Sequence, residues 1–263
     1  MNSRASSLVS AGLMAIVLTC AAPLFAGPPL ICHVVEIGDA QTLPWVDLNY
    51  RNGDGSYNLQ NLAKDTIAIL DSNPAVLVRM ETLRRATLYA RQDSHAAKEL
   101  LTRLRARATE APEDSRGALA WFDFGYLAES YKQWIGRNEP NPAAGVDGYG
   151  WVKRAIQQRG DDPEMEFAAA LITLTTPNGD HRAHVQKAIA GAKTDALLAE
   201  NLASRFGSET ISGILTAQSS EDNSVPFAHG FPGSQKRVPG DMAGSLFRRI
   251  VQNSDLCLVT TGS

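Results

Sequence analysis

The sequence has no cluster of basic residues and almost no net charge. Its 263 residues include 25 Lys and Arg against 28 Asp and Glu, a formal net charge of −3 at pH 7. Proteins that bind a phosphate backbone concentrate positive charge on one surface, so we expect no nucleic-acid partner. Hydrophobic residues make up 44% of the chain and charged residues 20%, which is typical of a folded globular protein and not of a disordered one.

The sequence also lacks the short motifs of common active sites: it has no GxSxG, P-loop, GxGxxG, HExxH or CxxC. His181 and His184 are three residues apart beside Asp180, a spacing found in some metal sites, but zinc needs at least a third protein ligand. We therefore predict no metal and no cofactor, with both histidines facing solvent. Glu164 and Glu166 are predicted to be solvated acids in the first turn of a helix.

A long apolar stretch occurs only at the beginning of the chain. Arg4 precedes residues 8–22, which contain no charge, and Ala26 provides a small residue for cleavage. We predict a signal peptide over residues 1–26 and a mature protein that begins at Gly27 and is periplasmic or secreted. A membrane anchor is the less favoured alternative, because the run is short for a span, and no later stretch is long enough for a transmembrane helix.

Cysteine is scarce, with three residues in the chain, of which Cys20 falls inside the predicted signal peptide. A lipoprotein at Cys20 is disfavoured, because Thr19 is larger than the residue that usually precedes a lipidated cysteine. Cys32 and Cys257 remain, and in an oxidising compartment they favour a disulfide with each other. The alternative is a reactive Cys32 thiol beside His33, although adjacent residues on an extended segment point to opposite faces.

No segment alternates in the manner of a β-strand, whereas apolar residues recur at helical spacing from Leu59 to about Gln218. The predicted fold class is all-α, with helical hairpins stacked as an irregular tetratricopeptide-like array or bundle and an extended N-terminal arm. The predicted parts of the mature chain are an irregular arm (27–58), a helical domain (59–218), a flexible loop (219–240) and a C-terminal helix with a tail (241–263).

Prolines and capping residues mark the predicted helix starts. Ser94 is the predicted N-cap of the third helix, Pro112 opens the fourth, and Asp162 followed by Pro163 caps a later one. Helix pairs beginning near Pro74, Pro112 and Asp162 recur at an irregular spacing of about 38 to 50 residues, which favours a helical repeat with drifting period.

One stretch shows a recognisable pattern of residue types in addition to helical spacing. Trp121, Phe124, Gly125 and Ala128 resemble the W-x-x-L-G-x-x-Y arrangement in the first helix of the tetratricopeptide repeat, with Phe for Leu and Ala for Tyr. The resemblance implies that the small residue lets two helix backbones approach while the large residues fill the space around them.

Most of the mature chain also resembles a family of uncharacterised exported bacterial proteins. The similar segments are residues 27–33, 78–86 and 162–171. The resemblance implies export and no particular activity.

The aromatic cluster supplies the candidates for partner binding. Residues 121–134 contain six aromatic side chains, which cannot all lie on one face of a helix. Core packing is the alternative for each of them, whereas aromatic residues are enriched at binding hot spots. The candidates are Trp121, Phe124, Tyr131 and Trp134.

The leading interpretation is an exported, non-enzymatic helical scaffold or adaptor that binds a protein or peptide partner. It rests on the helix-pair spacing and on the missing catalytic motifs, and partly on analogy between folds. The alternative is a periplasmic enzyme or metal-binding protein that uses Cys32 and His33, or His181 and His184.

Overall fold

The computed structural model describes residues 30–46, 53–134, 140–174 and 180–207. Across these residues the chain forms eight α-helices and no β-strand, so the predicted all-α class is confirmed. A 3-10 turn at Leu59–Asn61 leads into the first helix. The helices are α1 (Leu62–Asp71), α2 (Val76–Ala90), α3 (Ser94–Glu110), α4 (Ala118–Trp134), α5 (Gly148–Arg159), α6 (Pro163–Thr173), α7 (Asp180–Ala192) and α8 (Ala196–Phe206).

Several predictions fall on other parts of the chain. The signal peptide (1–26), the loop (219–240) and the C-terminal helix with its tail (241–263) lie outside the described residues, and so do Cys20 and Cys257. These remain predictions. Within the described ranges, none of the helices has the length and hydropathy needed to cross a membrane.

Helix α4 lies at the centre of the array, in contact with α2, α3, α5 and α6. Helices α2 and α6 are buried almost all round: every residue of α2 except Arg85 is buried, and so is α6 from Met165 to Thr173. A helix buried on all sides needs no polar stripe, although α2 still carries buried charges at Arg79, Glu81 and Arg84. Those charges require partners inside the protein.

Aspartates cap four of the helices. The side chains of Asp93, Asp147, Asp162 and Asp195 accept hydrogen bonds from main-chain N–H groups in the first turns of α3, α5, α6 and α8. The predicted cap at Asp162, with Pro163 as first helical residue, is confirmed. The prediction for Ser94 is wrong by one residue, because the longer Asp93 side chain in front of it takes the N–H groups of His95 and Ala96.

The fourth helix begins at Ala118 and not at Pro112 as predicted. Asp114 accepts hydrogen bonds from the N–H groups of Arg116 and Gly117, which holds this segment in a turn. A Cβ atom at Gly117 would lie 1.9 Å from the carbonyl oxygen of Pro112, so the turn requires glycine there.

The described part of the N-terminal arm contains turns and bends and no strand, and it packs onto the helices. Four of its apolar side chains, those of Leu30, Ile31, Val35 and Leu43, are completely buried. At about 1.5–3 kcal/mol for each buried side chain, their burial contributes about 6–12 kcal/mol to folding. The arm is therefore part of the core.

Candidate functional site

Three of the four aromatic candidates for partner binding lie in the core. Trp121, Phe124 and Tyr131 are 2%, 1% and 0% exposed. Trp121 donates its indole N–H to the carbonyl of Ala108, and the Tyr131 hydroxyl donates to the carbonyl of Ala97. Their placement as a surface groove is wrong, because packing between α4 and its neighbours uses them. The side chain of Trp134, at the end of α4, lies outside the described part of the chain.

The two metal candidates have separate partners, and the prediction that both face solvent is wrong for His184. His181 contacts the carbonyl oxygen of Ala170 through Nδ1 at 2.9 Å, whereas His184 is buried and contacts the Glu166 carboxylate through Nδ1. Among the described residues, no group of three or more His, Cys, Asp or Glu side chains is arranged to hold a metal ion.

His184 belongs instead to a chain of four polar groups. Its Nδ1 contacts Oε2 of Glu166, and its Nε2 lies 2.7 Å from the hydroxyl of Tyr149. The same hydroxyl donates to Oδ2 of Asp180 at 2.8 Å. Glu166 is fully buried, so the predicted solvated acid is wrong at this position. We call these four residues the His184 relay.

Two lysines flank the relay at the edge of a cavity of about 300 Å³. Lys187 contacts the carboxylates of Asp161 and Glu166, each at 3.0 Å, and these contacts raise the pKa of Lys187. Lys153 lies 4.6 Å above the ring of Tyr149. Burial, and then the neighbouring Asp180, raise the pKa of the Tyr149 hydroxyl well above its usual range. The hydroxyl therefore keeps its proton and is not an activated nucleophile.

A second set of polar side chains holds the main chain of the arm. From α2, Glu81 accepts a hydrogen bond from the N–H of Val35 at 3.0 Å, and Arg85 donates to the carbonyl of Leu43 at 2.8 Å. Tyr89 donates to the Pro44 carbonyl. Glu81 and Arg84 thus find their partners in the arm and in each other, and Glu81 also forms a salt bridge with Arg85. Arg79 instead pairs with Asp123 of α4.

Helix α8 holds the arm from the other side. The amide of Asn201 accepts from the N–H of Glu36 and donates to the carbonyl of the same residue, both at 2.9 Å. Arg205 donates to the carbonyl of His33 at 3.2 Å. These contacts are made to the peptide backbone, so they do not depend on a particular side chain of the arm. We call the surface formed by Glu81, Arg84, Arg85, Tyr89, Gln133, Asn201 and Arg205 the arm cradle.

The electrostatics of the cradle bear on the proposed thiol chemistry at Cys32. Burial, followed by the charges of Arg205 and Arg84, lowers the pKa of His33 to about 4. A cysteine thiol has an ordinary pKa of about 8.5, so its thiolate is a much stronger base than an imidazole with a pKa of about 4. His33 therefore does not take the thiol proton. Cys32 is itself buried, at 6% exposure. This geometry does not favour a catalytic Cys32–His33 pair.

A cavity of about 560 Å³ lies where three helices begin. Here Glu164 accepts a hydrogen bond from the N–H of Leu77 and so caps α2, with Asp162 and Asp195 as the caps of α6 and α8 nearby. Burial, and then these two aspartates, raise the pKa of Glu164. The predicted solvated acid at Glu164 is therefore a capping group, and the acids of this cavity have structural partners.

The chain matches no model of a known protein family, no curated protein and no solved structure. The resemblance to uncharacterised exported proteins and the tetratricopeptide-like repeat remain predictions. Function has to be argued from the arm cradle and the His184 relay.

The arm cradle and the His184 relay were not predicted from the sequence, because their residues are far apart in the chain. Glu166 and His184 are 18 residues apart in sequence and Tyr149 and His184 are 35 apart, and no local pattern connects them. The one available signal was the high density of charge in α2, where Arg79, Glu81 and Arg84 interrupt an otherwise apolar helix.

Proposed function

We propose that the chain is an exported helical scaffold that binds an extended segment of a protein or peptide, and that the arm cradle is the binding surface. In this proposal the arm at residues 30–46 is the segment held within the chain itself. A partner segment competes with it for the same main-chain contacts.

The observation that carries the proposal is the hydrogen bonding of the arm main chain by side chains. Asn201 pairs with both main-chain groups of Glu36, and Glu81 and Gln133 accept from the N–H groups of Val35 and Leu30. Side chains of three helices, α2, α4 and α8, thus take the place of a neighbouring β-strand. A surface of this kind accepts different sequences, provided that they are extended.

The buried side chains of the arm define the partner chemistry. Leu30, Ile31, Val35 and Leu43 are fully buried, whereas Glu36 is exposed. A competing segment needs apolar side chains at equivalent positions, because a charged group there would be buried without a partner. We therefore expect an apolar extended segment and not an acidic or basic peptide.

The test makes the arm a separable ligand of the remaining protein. A protease site is inserted between Val46 and Gly53, the chain is cut after folding, the predicted disulfide of Cys32 with Cys257 is reduced, and a labelled peptide of residues 27–46 is added. Saturable exchange of the labelled peptide for the native arm supports the proposal. Failure of the peptide to exchange, or unfolding of the cut protein, contradicts it.

Two controls separate specific binding from adhesion. A peptide with Val35→Asp buries an unpaired carboxylate and is expected not to bind. Asn201→Ala in the scaffold removes both contacts to Glu36 and is expected to weaken binding by about tenfold or more. Equal binding of the two peptides would contradict recognition by the arm cradle.

A further inference from the structure

The His184 relay joins three helices and has no role in the arm cradle. Helix α7 packs against α6 and α8, and it meets α5 through the side chains of Tyr149 and Lys153. Glu166 of α6 and Asp180 and His184 of α7 complete the relay. Its state of protonation therefore bears on how α7 is held.

The hydrogen bonds of the His184 relay need more protons than a neutral imidazole and the Tyr149 hydroxyl together provide. The Tyr149 hydroxyl has one proton for its two contacts, with Oδ2 of Asp180 and with Nε2 of His184. On the other side of the ring, Nδ1 faces the carboxylate of Glu166, which also accepts from Lys187. The three contacts Glu166–His184, His184–Tyr149 and Tyr149–Asp180 need one proton each. A neutral His184 and the Tyr149 hydroxyl carry two protons between them, so one contact has none while both carboxylates are ionised.

The cavity beside the His184 relay is lined by charged groups of both signs. Asp161, Glu166 and Asp180 carry negative charge around the cavity, against the positive charges of Lys153 and Lys187. These side chains come from α5, α6, α7 and the segment between α5 and α6. With a proton shared across the contact between Glu166 and His184 the charges balance, and without it one negative charge is in excess. The extra proton also completes the hydrogen bonding.

We propose that the His184 relay is a proton-responsive latch. With the proton in place, Glu166, His184, Tyr149 and Asp180 bind α7 to α5 and α6 through an unbroken series of hydrogen bonds. When pH rises and the proton is lost, two acceptors face each other at one contact, and α7 is released from α5. The state with α7 bound to α5 carries one proton more than the state with α7 released. The population of the released state therefore increases with pH, by at most about tenfold for each pH unit.

The protonation itself is tested by nitrogen NMR of the imidazole rings in the whole protein. Between about pH 5 and about pH 9, both nitrogens of His184 are expected to carry protons at the acid end and only one at the alkaline end. His181, whose Nδ1 contacts a carbonyl, is the internal reference. A neutral His184 ring over the whole range, with Glu166 ionised, would overturn the proposal.

The mechanical part is tested by amide hydrogen exchange of residues 180–192, corrected for the intrinsic effect of pH on exchange. We expect opening of α7 to increase with pH in the native protein and in the control His181→Gln, and to lose this dependence in His184→Gln and Tyr149→Phe. The Tyr149→Phe variant retains the aromatic ring, and it provides the answer if His184→Gln does not fold. The same pH dependence in Tyr149→Phe as in the native protein would overturn the latch.

Discussion

Gly125 of α4 and Gly148 of α5 face each other where the two helices meet: a Cβ atom on either would lie 2.5 Å from the carbonyl oxygen of the other. The absence of side chains lets the two backbones touch. Phe124 and Trp151 pack edge to face beside this crossing, with ring centroids 5.4 Å apart. The close approach implied by the resemblance to the tetratricopeptide repeat is thus present at this pair of helices.

Replacing Gly125 with alanine is expected to push α5 away from α4. Overpacking of this kind costs about 1–3 kcal/mol of unfolding free energy. Denaturant unfolding of Gly125→Ala checks the prediction, with Gly145→Ala as control, because a Cβ atom at Gly145 meets no atom within 4 Å. Equal stability of the two variants would show that the helices separate without cost.

Trp121→Ala is expected to destabilise the whole protein and not to remove a binding surface. The indole is 2% exposed, donates to the Ala108 carbonyl and is covered by the guanidinium of Arg154, 3.8 Å from the ring centroid. Truncation of a buried tryptophan costs about 3–5 kcal/mol. Thermal unfolding measures the loss. A variant with native stability that fails to bind the arm peptide would contradict this prediction and would indicate that Trp121 belongs to the binding surface.

Asp123 makes stability decrease as pH rises through the mildly acid range. It forms a 2.6 Å salt bridge with Arg79, yet burial raises its pKa to about 6, well above the value of an exposed aspartate. The folded protein therefore binds the proton more tightly than the unfolded chain. Its contribution to stability is complete below about pH 4, and it decreases by up to roughly 3 kcal/mol as pH rises to about 6.

The comparison of the native protein with Asp123→Asn isolates this effect, since both contain the other titrating groups. Denaturant unfolding at pH values between about 4 and about 6 is expected to give a difference in unfolding free energy that falls with pH. A difference that rises with pH would mean that Arg79 lowers the pKa of Asp123 more than burial raises it.

The state of the cysteines is tested by intact mass after alkylation without reduction. We expect the exported protein to begin at Gly27 and to carry no alkyl group, because Cys32 and Cys257 are predicted to form a disulfide. After reduction, the same protein is expected to take up two alkyl groups. Two groups without reduction would disprove the disulfide, and a lipid mass on Cys20 would disprove cleavage before Gly27.

The sequence predicted features that depend on neighbouring residues. Asp162 and Pro163 define a helix start locally, and Gly125 stands in a recognisable helix pattern. The burial of Glu166 could not be predicted in this way, because its partner His184 follows 18 residues later and only the packing of α6 on α7 brings the two together.

The arm cradle is a clearer case of the same limit. Glu81 and Arg84 have the spacing of an ordinary exposed ion pair on a helix. They are fully buried because residues 30–46 cover them and supply hydrogen-bond partners 46 and 53 residues away in sequence. Charged residues inside an apolar helix therefore indicate that another segment of the chain covers them, but they do not identify that segment.

Asn201 provides the most direct test of how the arm is held. Its amide makes two hydrogen bonds to Glu36, and Asn201→Leu keeps the approximate size while removing both. Because the main-chain groups of Glu36 then lose their partners, we expect the arm to detach more often, at a cost of about 1–3 kcal/mol. Limited proteolysis within residues 30–46 measures the detachment. Asn58→Ala, which removes the cap of the 3-10 turn at Leu59–Asn61, is the control and is expected to leave cleavage within residues 30–46 unchanged. Equal cleavage in native protein and Asn201→Leu would mean that the buried apolar side chains hold the arm without the contribution of α8.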